Sequence, residues 1–284
     1  MAESVGAADL RAAYGRTVEE RFGHRLTLNV PSRSNPKVTE LIGRINQDDE
    51  LYALWLAANV NAVERLGMTD HGPVHVKIVM NIAVKLLRML VEHGVEPSVV
   101  ANYGMTPEEA EVVVMLAALM HDLGMSIHRK DHEEFSLFVA QPKIRELLDG
   151  IYDVRTATIL RAEILHAIIG HRSGGRPLTL EAGIVRVADA LDMAKGRSRI
   201  SMGIERTMSI HSISAAAIEA VHLEHGEEKP IRLRIEMSNS AGVFQLDELF
   251  REKLSGSGLE PYVEVEALIE GEEEKRLITT AYRL

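Results

Sequence analysis

Val112-Val-Val-Met-Leu-Ala-Ala-Leu-Met-His-Asp-Leu-Gly124 is the stretch that decides how this chain is read. The apolar run Val112 to Met120 leads without a break into His121-Asp122. An ionised carboxylate at the edge of such a run is costly to bury without a positive partner. With an imidazole beside it, a metal ion is the natural partner, and the other ligands have to come from elsewhere in the chain.

The flanking segments read as helices. Thr106-Pro107-Glu108-Glu109 is a capping box with proline in the first turn, so it opens the helix that carries the apolar run and closes at Gly124. Upstream, Pro73 starts a helix that reaches Glu92. His75, Val79, Ile82, Ala83, Leu86, Leu87 and Leu90 recur at helical spacing, which turns His75 into the core and leaves His71 in the preceding loop. Downstream, helices are expected over about 131–140 and 154–169, the latter ending at Gly170-His171. Thr179 caps another that runs through Asp189 and Asp192 to Lys195. Residues 1–69 also read as helical, with one short helix over 36–46 and a second, capped by Asp48 or Asp49, running to about Arg65.

Beyond Gly196 the pattern changes. Segments 213–224 and 231–237 read as strands, 245–254 as helix, and 262–269 and 276–282 as further strands. The expected fold is mainly α, an all-helical bundle followed by a small α+β domain. The boundaries are 1–69 for an N-terminal extension, 70–202 for the metal-binding domain and 203–284 for the small domain.

Composition narrows the function classes. The chain has 284 residues, 46% hydrophobic and 26% charged, as in a soluble globular protein. Its net charge of −10 argues against a nucleic-acid polymer as partner, though not against a small phosphorylated substrate in a local basic pocket. The absence of cysteine excludes disulfides, thiolate zinc sites and cysteine nucleophiles. The apolar runs are too short for a membrane span, and the first residues lack an apolar signal core, so a cytoplasmic location is the expectation. There is no phosphate-binding Gly-x-x-x-x-Gly-Lys loop and no serine or cysteine triad pattern.

The candidate ligands in chain order are His75, His121-Asp122 and Asp189, on different helices. Two imidazoles and two carboxylates suit Mn, Fe, Co, Ni, Zn or Mg, and spacing does not choose among them. Asp192, three residues after Asp189, reads as a structural or supporting carboxylate for Arg186, Lys195 or Arg197. Glu163 and His166 share a spacing seen in di-metal bundles, with Glu163 the minor candidate.

This order of motifs resembles the HD-domain metal-dependent phosphohydrolases. The helix beginning His75-Val-Lys-Ile-Val79, the segment Ala117-Ala-Leu-Met-His121-Asp122-Leu-Gly124 and the segment Arg186-Val-Ala-Asp189-Ala-Leu-Asp192 carry the likeness over roughly residues 70–200. The resemblance implies that His75, His121, Asp122 and Asp189 bind one ion. It further implies a second ion, with Asp122 as bridge and His132, His166 and His171 as ligands. His128 competes with His132, which is preferred because it opens a helix. His121 and Asp122 would form the catalytic centre. His71 is a helix-entry residue bonded to backbone, a contact to substrate phosphate, or a replacement for His75.

A divalent ion acidifies water and neutralises phosphate oxygens, so phosphate-ester hydrolysis is the expected reaction. Further cations for the substrate are expected from Arg172 and Arg176 first, then from Lys195, Arg197 and Arg199, and from Arg129 and Lys130. The chain departs from the cyclic-dinucleotide branch of the family, which carries a doubled histidine and a Gly-Tyr-Pro motif. Here His171 is followed by Arg-Ser-Gly-Gly-Arg-Pro. A di-iron oxygenase on the same scaffold and a catalytically silent scaffold or sensor are the rival classes. The small domain is expected to regulate, to close the site, or to pair two copies as a homodimer.

Overall fold

A computed structural model describes residues 23–30, 35–193, 214, 217–269 and 282–283. The described helices are α1 (Pro36–Gln47), α2 (Asp49–Asn59), α3 (Pro73–Glu92), α4 (Ser98–Tyr103), α5 (Pro107–Met120), α6 (His132–Leu148), α7 (Val154–Gly170) and α8 (Leu180–Leu191). A π-helical turn, Val60–Arg65, extends α2, and a 3-10 turn, Leu123–Ser126, follows the His121-Asp122 pair. Strands β1 (Ile218–His225), β2 (Ile231–Met237), β3 (Val263–Ile269) and β4 (Tyr282–Arg283) form one sheet in that order. β1 and β2 are antiparallel, β2 and β3 parallel, β3 and β4 antiparallel. The crossover between β2 and β3 is a helical run over residues 242–254.

α5 is the axis of the bundle. Every residue from Glu109 to Met120 is buried, as suits a helix that is apolar nearly all round. α3, α7 and α8 pack directly on it. α2 covers the turn at its C-terminal end. Trp55 Nε1 donates to Leu119 O at 2.8 Å, satisfying one of the carbonyls that a helix end leaves open. Asn61 Nδ2 donates to Met125 O at 2.7 Å and Ser126 O at 3.0 Å. One apolar core continues from the helices into the sheet through Ile218, Ile231, Leu233, Ile235, Val263 and Val265, and along β2 burial alternates residue by residue.

Four local readings differ from the expectations. Residues 23–30 are not helical. Leu28 is buried and its N–H and C=O pair with the side-chain amide of Asn46, at 2.8 and 2.9 Å, in place of a helical ladder. α4 is an additional helix that ends on Gly104 in the left-handed conformation. α6 runs past 140 and through Pro142, because Ile144, Leu147 and Leu148 beyond that point are buried. Lys143, on the same helix, is bound by Asp48, Glu50 and Glu146. Finally, α8 stops at Leu191, leaving Asp192 outside the helix, and β1 begins at Ile218. Of the expected last strand, 276–282, only Tyr282 is among the described residues, and it pairs in β4.

Gly124 is required by close approach. A Cβ there would lie 2.0 Å from His132 O and 2.5 Å from Ser136 N. Gly124→Ala is therefore expected to force α6 away from the His121-Asp122 turn. We expect it to lower stability by about 1–3 kcal/mol and to reduce bound metal, measured by denaturant unfolding and elemental analysis.

Candidate metal centre

The helices bring their ends to one point. His75 lies in the first turn of α3, His121 and Asp122 follow α5, His132 opens α6, His171 follows α7, and Asp189 is in the last turn of α8. α5, α7 and α8 all direct their C-terminal ends here, where the partial negative charge of the helix favours a cation. Among the described residues, three overlapping ligand groups result: His75, His121 and Asp122; His121, His171 and Asp189; and Asp122, His132 and His171. In each group the ligand atoms lie within 4.8 Å of one another.

The imidazoles are oriented by a shared device. His121 Nδ1 faces Ala118 O at 2.8 Å and His171 Nδ1 faces Ile168 O at 2.5 Å, in each case the carbonyl three residues back. We assign the proton to Nδ1 in both, which turns the Nε2 lone pair inward. His75 Nδ1 lies 2.6 Å from Asp192 Oδ2, a carboxylate–histidine pair that fixes its ring in the same sense. His132 Nδ1 lies 2.9 Å from Glu133 Oε2 and 3.1 Å from Arg129 O. The Arg129 guanidinium also stands 2.9 Å from that nitrogen.

Asp122 is at the centre and is 4% exposed. Its Oδ2 lies 3.4 Å from both His75 Nε2 and His121 Nε2, while its Oδ1 lies 3.2 Å from His132 Nε2 and 3.8 Å from His171 Nε2. Asp189 Oδ1 stands 3.6 Å from both His75 Nε2 and His121 Nε2. His75 Nε2 and His121 Nε2 are 3.2 Å apart. Two inward lone pairs at that distance repel unless a cation or a proton lies between them, so the donor set fits a divalent ion.

Burial opposes charge throughout, and the pairing decides the outcome. Burial would push His121 down, but the Asp122 and Asp189 carboxylates lift it to about 10. Burial likewise opposes the charge on His132, and Asp122 and Glu133 lift it to about 9. Burial, with the charges of His121 and Lys253, drives His171 down to about 3. Asp122 and Asp189 are held well below the usual carboxylate range, because the surrounding imidazoles, joined at Asp189 by Lys253, outweigh burial.

The other candidates are placed as follows. His166 does not join the cluster. It precedes His171 by five residues, which sets it about 140° around the helix, and its Nε2 accepts the Leu178 N–H at 3.0 Å. Glu163 is bound by the Tyr103 hydroxyl at 2.8 Å instead. His128 is exposed and accepts the Lys130 N–H at 3.0 Å. His71 is buried beside the cluster, with Nε2 4.0 Å from Asp122 Oδ2 and Nδ1 on Thr69 O at 2.7 Å. Arg172 pairs with Glu134 at 2.8 Å, and Arg176 is exposed. Lys195, Arg197 and Arg199 lie outside the described residues. Arg186 does not pair with Asp192; it is buried and turned to the 242–254 run.

Of two further residues at the site, Asp192 has the supporting role expected of it, and Lys253 was not legible as a participant. Asp192 serves His75 because the chain leaves the helix after Leu191, which breaks the helical spacing from Asp189. Lys253 comes from the 242–254 run. Its Nζ donates to His171 O at 2.5 Å and lies 3.7 Å from Asp189 Oδ2. Only the charge triplet Arg251-Glu252-Lys253 marks it in the sequence, and such triplets are ordinary on surface helices.

Residues 74–194 match the HD domain. The chain is also 43% identical over 215 residues to MJ1020, an uncharacterised protein of Methanocaldococcus jannaschii, covering 76% of this chain and 83% of that protein. The chain belongs to the HD-domain superfamily, a superfamily of metal-dependent phosphohydrolases.

Two outcomes follow from the geometry. Asp192→Asn is expected to raise the metal dissociation constant about 10–100-fold with little change in unfolding midpoint, as read by metal titration and thermal melting. The protons that Asp122 and its neighbours hold on His121 and His132 must leave before those nitrogens ligate. Metal affinity is therefore expected to rise with pH between about 6 and 8, by up to about tenfold per unit for each proton displaced. Calorimetry in two buffers of different ionisation enthalpy would read that proton release directly.

Proposed function

We propose that this protein hydrolyses a phosphate ester of a nucleotide or a related small phosphorylated metabolite, with water as the nucleophile. The observation that supports this most is the division of Asp122. One carboxylate oxygen faces His75 and His121, and the other faces His132 and His171. This suits a bridge between two divalent ions, with Asp189 completing the first set. When bound, divalent ions there supply Lewis-acid polarisation of a phosphoryl oxygen and a water of near-neutral pKa.

The chain's own groups perform the rest. His121, held on Ala118 O, and Asp122 keep their donor atoms fixed, so little reorganisation accompanies the reaction. The buried faces of α3, α5 and α7 exclude bulk water from below. His71, with Nε2 4.0 Å from Asp122, is a further candidate to contact a phosphate oxygen. Arg172 and Arg176, on the loop after His171, are the first candidates for the phosphate, and Arg172 would exchange Glu134 for the substrate. Lys195 and Arg197 are further candidates for the phosphate. The net charge of −10 favours a small substrate over a polymer.

In this reading residues 70–202 are catalytic, 1–69 buttress the His121-Asp122 turn and 203–284 regulate or dimerise, in a cytoplasmic protein. Among the described residues no helix is long and apolar enough to cross a membrane.

Metal-loaded protein is expected to cleave a generic aryl phosphodiester or members of a nucleotide panel. Asp122→Ala should lose bound metal and more than about a hundredfold of that activity. Unchanged metal content in the variant would sink the ligand assignment. Elemental analysis of the purified protein distinguishes one ion from two and identifies the metal.

A further inference from the structure

We propose that the C-terminal region completes the metal centre by supplying Lys253 as a cationic contact for the anionic group of the substrate. This rests on the reading that the substrate carries a phosphate.

Exposure marks the way in. His75, His121, Asp122 and His171 are at most 4% exposed. The side chains of Asp189 and Lys253, by contrast, are 17% and 18% exposed. The cluster is therefore more open at Asp189 and Lys253 than at His75, His121, Asp122 and His171, so an anion reaching Asp189 from solvent meets Lys253. An ammonium has three donors. One of them is spent on His171 O at 2.5 Å. Asp189 Oδ2, at 3.7 Å, is too far for a hydrogen bond, so it attracts the ammonium without taking a donor. The contact to His171 O anchors the ammonium and leaves two of its N–H donors for a phosphoryl oxygen.

The mounting of Lys253 is rigid. Arg186, 1% exposed, donates from Nε to Lys253 O at 2.9 Å, from Nη2 to Glu252 O at 3.1 Å and from Nη1 to Arg172 O at 2.5 Å. Its Nη2 also pairs with Glu252 Oε1 at 3.3 Å. The Glu252 carboxylate accepts the Ser173 hydroxyl at 3.1 Å and the Gly174 N–H at 3.0 Å. Just beyond, Ser257 O packs so closely on α8 that a Cβ on Gly183 would lie 2.0 Å from it. A solvated lysine does not require a buried arginine to hold its backbone. These contacts fix the backbone at residues 252–253 at the mouth of the site.

The test compares full-length wild type with Lys253→Met and Lys253→Arg. Metal content is measured by elemental analysis and inorganic phosphate binding to the metal-loaded protein by calorimetry. Steady-state cleavage of an aryl phosphate is followed in parallel. Lys253→Met is expected to keep its metal and to bind phosphate about 10–100-fold more weakly, the size of a lost hydrogen bond between charged groups. Its KM should rise more than its kcat falls. Lys253→Arg, which keeps the charge, should recover much of the binding, and does so even if Lys253→Met folds poorly. Phosphate bound equally by wild type and Lys253→Met, with equal metal, overturns the proposal, as does a wild type that binds no phosphate. Wild type that binds phosphate through Lys253 yet cleaves no ester overturns the proposed hydrolysis and leaves the role of Lys253 standing.

Discussion

The Asp122 carboxylate, buried among four imidazoles, is the constraint on which the rest of the architecture depends. Taking one ionised carboxylate out of water costs several kcal/mol even after the protein relaxes. That cost is offset only if positive or hydrogen-bonding partners stand close on every side. Here the partners come from α3, α5, α6 and α7, with nitrogen atoms between 3.2 and 3.8 Å from one or other oxygen. Helices far apart in sequence therefore have to end within a few ångströms of one atom pair. The surrounding packing serves that convergence. Trp55 and Asn61 hold the turn from one side, and Ser136 holds it from the other, accepting the Gly124 N–H at 2.8 Å and donating to His121 O at 2.6 Å.

The concentration of like groups is also what makes the centre fit to hold a cation. Three helix C-termini and the Asp122, Asp189 and Asp192 carboxylates make the point strongly attractive to cations. The rings of His75, His121 and His171 are aimed at the centre, because each Nδ1 is committed to a carbonyl or carboxylate and each Nε2 faces inward. Such a site is a poor core and a good receptor for divalent ions. Arg186 extends the logic outward. Buried beneath the loop after α7, it satisfies backbone carbonyls of both the helical bundle and the 242–254 run, so the sheet region is joined to the bundle through polar contacts as well as through the apolar core.

Much of this was legible in the chain because the signals are local. Thr106 and Glu109 form the capping box, Thr179 caps α8 and Pro73 opens α3, all as their chemistry dictates. The alternation in β2 places Ile231, Leu233, Ile235 and Met237 on the buried face. Local signals misled where tertiary packing outweighed them. The helix expected over about 131–140 continues through Pro142 to Leu148, carried by burial of Ile144, Leu147 and Leu148. The segment 23–30 lacks a helical ladder because the Asn46 amide answers its backbone. His166 has the right residue type in the right interval, but helical rotation sets it on another face from His171.

The sequence by itself determined the elements and the chemistry on offer: a buried helix ending in His121-Asp122, further helices bearing His75 and Asp189, a family resemblance, and a mixed α+β C-terminal region. It could do so because caps, periodicity and ligand type are properties of short segments. Only the tertiary structure decided which donors meet. It turned His132 and His171 toward one oxygen of Asp122 and His75 and His121 toward the other. It set Asp192 against His75, and it brought Lys253 from a distant part of the chain to the edge of Asp189. These are contacts between distant segments, set by how helices pack around α5, and no local spacing encodes them.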